Sequence, residues 1–132
     1  MDQQSAGGTA LAEVLFGESN PAGRLPHTVY ASEVQVPSTG EYDISKGFTY
    51  MYVKDEPLYA FGNGLSYTNF GYAKLEAPNT PVTAGDTATV TFEITNTGFR
   101  AGDVVLQLYV HKPNSVVSRP RAQLQAFQRL SL

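Results

Sequence analysis

Apolar positions follow two different periods along this chain. Near the start, Leu11, Val14 and Leu15 recur at the i, i+3, i+4 spacing of one helix face, within residues 9–16. Gly7-Gly8 precedes this run and Gly17 follows it, so Thr9 is the expected N-cap and Gly17 the expected C′ residue. So short a helix is unstable alone in water and must dock on something. From residue 70 onward the period changes to two. Ala88, Val90, Phe92 and Ile94 alternate with Thr87, Thr89, Thr91, Glu93 and Thr95. After a break at Asn96-Thr97-Gly98, Val104, Leu106, Leu108 and Val110 alternate with Val105, Gln107, Tyr109 and His111. Such alternation predicts strands with one wet face, and these two read as neighbours in an antiparallel sandwich.

The stretches between follow from their turn chemistry. Asn20-Pro21-Ala22-Gly23 has the residues of a type I turn, leading into an extended run, Arg24–Tyr30. Residues 31–47 hold no period and read as a long loop, a kind that is functional or covered by a larger body. Phe48–Val53 predicts a strand, with Phe48, Tyr50 and Tyr52 on one side. Residues 70–77 read as another strand, closed by Pro78 and Pro81, and Ala84-Gly85-Asp86 introduces the alternating run. Lys112–Arg121 is a loop before a last strand-like run. The β part amounts to about half of a seven-strand sandwich. Such a half, alone, leaves an apolar face and a sheet edge open, which predicts poor solubility or self-association.

Between the helical and the β part lies Glu56–Phe70, dense in rigid aromatics and backbone punctuation. Pro57 fixes its own φ, Gly62 and Gly64 permit positive φ around Asn63, and Tyr59, Phe61 and Tyr67 bring apolar area to be buried. A flexible linker would have nothing to bury, so Pro57, Tyr59, Phe61, Gly62, Gly64 and Tyr67 are expected to form an ordered connector. An aromatic hairpin of a single small domain is the other reading that these residue types allow.

Composition narrows the function classes. The 132 residues carry 12 acidic and 9 basic side chains in scattered order, for a net charge of −3. Without a basic run, nucleic acid and anionic membrane are poor partners. Cysteine is absent, so neither a disulfide framework nor thiol chemistry is available. No stretch approaches the roughly 20 apolar residues that cross a bilayer, and Met1–Gln4 lacks the basic and apolar regions of a signal peptide. The start runs almost at once into a helix and the end stops inside a strand-like run, so the chain reads as an excised segment.

Three groups of residues in series carry a likeness. They are Gly7–Gly17 (GGTALAEVLFG) with Asn20–Pro26 (NPAGRLP); Gly47–Tyr52 (GFTYMY) with Pro57–Thr68 (PLYAFGNGLSYT); and Asn96-Thr97-Gly98 through Gly102–Val110 (GDVVLQLYV). Their order and spacing resemble the C-terminal part of glycoside hydrolase family 3, the β-glucosidases and β-xylosidases. In that family a barrel carries the nucleophilic Asp, an α/β sandwich carries the acid/base Glu, and a fibronectin type III-like domain follows. The resemblance implies a mixed fold: residues 1–55 as the end of the α/β sandwich (one helix, two or three strands), 56–70 as the connector, and 71–132 as an incomplete fibronectin-like sandwich. It implies as partners the rest of a longer glycosidase, with a β-glucan or xylan oligosaccharide beside it. The compartment is left open, with a periplasmic or secreted setting slightly favoured for that longer enzyme. The family pattern has Arg where this chain has Phe48, and it continues past Leu132 with further strands.

Retaining glycoside hydrolysis needs two carboxyl groups about 5 Å apart, one nucleophilic and one with a raised pKa. The resemblance places neither in this chain. Asp55 and Glu56 in a turn, Glu41 and Asp43 in the loop, and Glu13 on the helix read as solvated or capping groups. His27 and His111 are far apart and lack a further ligand at metal spacing, so neither metal nor cofactor is expected. Ser66 superficially matches a nucleophile elbow but lacks the second Gly and a His/Asp pair. Asn63 reads as a turn residue, and Gly7-Gly8 is too short for a phosphate loop. Tyr42, Phe48, Tyr50, Tyr52, Tyr59, Phe61 and Tyr67 can serve either as glue between domains or as a surface on which a pyranose ring stacks. The expected role is therefore structural, in a β-glycosidase whose catalytic pair lies elsewhere. A non-catalytic carbohydrate-binding or protein-interaction module is the alternative.

Overall fold

The computed structural model describes residues 6–83 and 85–132. The Met1–Gln4 stretch and Ala84 of the expected turn lie outside them. The elements are α1 (Gly7–Leu15), α2 (Thr49–Tyr52), β1 (Phe70–Glu76), β2 (Thr91–Asn96), β3 (Asp103–Val110) and β4 (Gln123–Ser131), with 3-10 turns at Glu33–Gln35 and Ile44–Lys46. The class is the mixed one expected, with one main helix followed by two small sheets, β1–β2 and β3–β4. Among the described residues no helix is long and apolar enough to cross a membrane. The described residues form two compact units, one from within Met1–Asn20, Ser66–Val104 and Ser131–Leu132, the other from Pro21–Leu65 and Val105–Leu130.

In the first unit, α1 ends as its glycine dictates. Gly17 takes φ +76°, its N–H donates to Val14 O, and the Glu18 N–H donates to Glu13 O, the paired bonds of a Schellman motif. The helix starts earlier than the sequence predicts. Ala6 is the N-cap and makes no side-chain cap bond, so Thr9 lies inside the helix and caps nothing. No turn forms at residues 20–23 either. The Asn20 amide serves the connector instead: its Oδ1 accepts the Tyr67 N–H at 2.8 Å, and the amide also meets the Ser66 hydroxyl. Asx side chains compete in this way with backbone turns.

β1 and β2 are antiparallel, with Phe70 opposite Asn96 and Tyr72 opposite Ile94, and a bulge falls between Ala73 and Glu76 where Lys74 takes φ +51°. The alternating run pairs only from Thr91, and residues 87–90 form no strand. Its partner is β1, while β3 pairs with β4, so the two alternating runs are not hydrogen-bonded neighbours. Alternation reports which face is wet and carries no information about the partner.

Asn96 closes this unit. Its Oδ1 accepts from Thr68 Oγ1 (2.6 Å) and from Gly98 N (3.0 Å), and its Nδ2 donates to Arg100 O (2.7 Å) and Leu132 O (3.1 Å). Both lone-pair positions and both protons of the amide are thus used. Thr68 is one of the few buried residues. A Cβ at Gly98 would sit 2.1 Å from Thr68 Oγ1, which restricts that position to glycine.

In the second unit, two extended segments face each other. The Leu25 N–H donates to Asn63 O, and Val29 and Tyr59 exchange both backbone bonds, so 25–63 and 29–59 share one antiparallel register. Gly62 permits this return with φ +80°, and a Cβ at Gly64 would lie 2.2 Å from Gly23 O. Residues 31–47 contain two 3-10 turns, the second capped by Asp43, so the loop is ordered locally. Phe48–Val53 is not a strand. Residues 49–52 form one helical turn, held by Val53 N–H to Thr49 O and by Arg121, which donates its N–H to Met51 O and its Nη1 to Val53 O. Aromatic alternation favours a strand, and these long-range bonds override it.

The four-bond role of Asn96 makes a sharp prediction. Asn96→Ala should lower unfolding stability by about 1–3 kcal/mol in urea titration, because it leaves the buried Thr68 hydroxyl without its acceptor. Phe99→Ser, at a fully exposed side chain one turn away, should stay within about 0.5 kcal/mol of the parent chain.

Candidate functional site: an aromatic cleft

The second unit contains an open cleft of about 710 Å³, within the range of small-molecule sites. Its floor is built by α2 and the connector. The Tyr50 and Phe61 rings stack with centroids 4.3 Å apart and 22° between planes, and Tyr109 of β3 meets Tyr50 edge-on at 6.0 Å and 71°. The Tyr50 hydroxyl accepts the Leu124 N–H, and the Tyr109 hydroxyl donates to Gln107 Oε1 at 2.8 Å. Lys54, Asp55, Glu56, Pro57 and Arg121 stand around the rim. Burial, with the neighbouring Tyr50 phenol as a lesser cause, pushes the Tyr109 phenol above the ordinary tyrosine value.

The aromatics singled out in sequence go to different places. Tyr50 and Phe61 meet in the cleft. Tyr59 is half exposed and bonds Val29 through its backbone. Tyr67 belongs to the other unit, where its hydroxyl donates to Val14 O at 2.7 Å and the Arg100 guanidinium lies 5.7 Å from its ring centroid. Arg100 also donates to Gly17 O, so a cation and a phenol meet the carbonyl end of α1. Tyr42 is 89% exposed, and among the described residues Tyr42, Phe48 and Tyr52 have no ring partner. Gln107, Tyr109 and Arg121 were not foreseen as site residues. A signal for the first two existed: they occupy the face of the β3 run opposite its aliphatic side chains.

The polar candidates fall into structural roles. Glu41 pairs with Lys46, and hydrogen bonding to that ammonium holds its carboxyl below the usual range. Asp43 Oδ1 accepts from the Ser45 hydroxyl and N–H, and these bonds likewise lower its pKa. A general acid needs the opposite shift. The Ser66 hydroxyl is taken up by Asn20 and Thr68 N. Asn63 donates its N–H to Ala60 O and accepts from Leu25 N, as a turn residue does. Among the described residues no group of three or more His, Cys, Asp or Glu could hold a metal ion.

Against known proteins, residues 3–67 match the glycosyl hydrolase family 3 C-terminal domain and residues 104–132 match a fibronectin type III-like domain. Over nearly its whole length the chain is similar to the C-terminal segment of glycoside hydrolase family 3 enzymes. It is 37% identical to a putative beta-xylosidase of Formosa agariphila over 99% of its own length and 18% of that protein's. With a beta-glucosidase of Rhizobium radiobacter the identity is 40%, over 95% of this chain and 17% of the relative. Beta-glucosidase 3B of Thermotoga neapolitana, solved with glycerol, superimposes with a TM-score of 0.82 at 35% identity, over 95% of this chain and 19% of that one. This chain thus spans less than a fifth of the length of these relatives.

The half-buried Tyr109 phenol gives a pH prediction. A group that is neutral when protonated and has a raised folded pKa stabilises the fold below its unfolded pKa, and that contribution is lost as pH rises through the folded value. Stability should therefore fall above pH 10, about the ordinary tyrosine pKa, and absorbance at 295 nm should show a late component from Tyr109 above that value. Tyr109→Phe should remove that late component.

Proposed function

We propose that this chain is a structural segment of a β-glycosidase that hydrolyses terminal β-linked glucose or xylose, with the nucleophile and the acid/base outside these 132 residues. Residues 1–55 complete the α/β sandwich, 71–132 belong to the fibronectin-like domain, and 56–70 tie the two through Pro57, Tyr59, Phe61, Gly62, Gly64 and Tyr67. The observation that carries the reading is the alignment of nearly the whole chain with a small share of family 3 enzymes. The connector assignment is supported by the close backbone approach at Gly64 and by the passage from one compact unit to the other between Leu65 and Ser66. The carboxylates agree with a supporting role: Glu41 and Asp43 are shifted away from acid function and Asp55–Glu56 stands on an open rim.

The partners that follow are the barrel and the remainder of the α/β sandwich. A β-glucan or xylan oligosaccharide is a further one, favoured by the open aromatic cleft. Self-association through sheet edges is supported by a topology of two-stranded sheets, in which each of the four described strands is an edge. It predicts a weight-average sedimentation coefficient that rises with protein concentration, and a constant monomer value would exclude it.

The purified chain should release no nitrophenol from aryl β-glucosides or β-xylosides. Turnover abolished by Asp55→Asn or Glu56→Gln would overturn the reading.

A further inference from the structure

We propose that the Tyr50–Phe61 cleft is a non-catalytic binding site for a β-linked gluco- or xylo-oligosaccharide. The choice of sugar rests on the glycosidase reading above. The cleft itself is argued from its own chemistry.

A β-gluco- or β-xylopyranose carries its hydroxyls equatorially, so both ring faces present C–H groups while the hydroxyls project around the rim. Such a ligand asks for an aromatic floor and a polar wall. The floor is the stacked Tyr50–Phe61 pair. On the wall, the Tyr109 hydroxyl donates to Gln107 Oε1, which fixes the amide and leaves the two Nε2 protons as donors for a ligand oxygen. Asp55 and Glu56 offer carboxylates and Lys54 an ammonium, and among the described residues none of these three side chains has a partner. With Arg121 the rim holds two charges of each sign, a balance suited to a neutral polyol. Thr28, on the same wall, has a buried hydroxyl without a hydrogen-bond partner, which a ligand hydroxyl or a bridging water would satisfy.

The floor is also held in place at a conformational cost. Thr49, next to Tyr50, sits at φ +60°, a region that β-branched residues rarely enter. Its N–H donates to the Tyr30 hydroxyl at 3.1 Å and its Oγ1 accepts the Met51 N–H at 3.3 Å, so neighbouring groups enforce the conformation. Strain retained in this way marks positions where a side chain must be aimed.

Titration of the 132-residue chain with xylotetraose and cellotetraose, followed by calorimetry and saturation-transfer NMR, tests the site. Saturable binding of at least one is expected, with maltotetraose about tenfold weaker. Phe61→Ala should weaken binding about tenfold or more through loss of the stacking face. Gln107→Leu should weaken it at an unchanged near-UV circular dichroism spectrum, which separates lost hydrogen bonding from lost folding. No saturable binding, equal binding of the α-linked control, or binding unaltered by Gln107→Leu would each overturn the proposal. Failure of the binding would leave the segment reading standing, because the nitrophenol assay reads the absence of catalysis independently.

Discussion

Burial is what this chain lacks. Among the described residues only Ala22, Val104 and Thr68 are buried, and one of the three is polar. A fully buried Leu or Phe contributes about 1.5–3 kcal/mol, and most of the large apolar side chains here do not collect it. Leu11 and Leu15 of α1 and its C-cap Phe16 are exposed by 60, 70 and 84%, and Tyr72 and Leu75 of β1 are similarly open. Where a core would ordinarily order the chain, directional hydrogen bonds carry that task. Asn96 gathers the connector, the turn after β2 and the last residue on one amide, and Asn20 fastens Ser66 and Tyr67 from the other side of the same unit. Such bonds order a backbone well but contribute little net stability each, on the order of 1 kcal/mol.

That imbalance links fold to function. An amphipathic helix with its apolar stripe open, and two-stranded sheets whose every strand is an edge, are parts of layers that something else must cover. On the reading proposed above, the rest of a longer enzyme would supply that surface. The chemistry points the same way. The carboxylates with a resolved shift, Glu41 and Asp43, are held ionised by ordinary local partners.

Much of this was legible in the residues, and the failures are instructive. Gly17 announced the end of α1 because a left-handed C′ residue is a local requirement that sequence states directly. The extent of β3 followed from alternation, and that of β1 from a strand-like run closed by Pro78. Phe48–Val53 misled because its alternation imitates a strand, while the bonds that fold it into a turn come from Arg121, some 70 residues away and invisible to a local window. Asn20 misled in a related way: its turn-forming chemistry was recognised, but its amide is used on Ser66 and Tyr67. The cleft was half visible. Tyr50 and Phe61 stood out as aromatics near the connector, whereas Tyr109 joins them only through the course of β3.

The central claim, that this chain's folded form depends on surface it does not itself cover, is tested most directly by 8-anilinonaphthalene-1-sulfonate fluorescence of the isolated chain during thermal unfolding. The account predicts strong dye binding already at 25 °C and a broad, weakly cooperative transition. Absence of dye binding at 25 °C together with one sharp, concentration-independent transition of a monomer would contradict it.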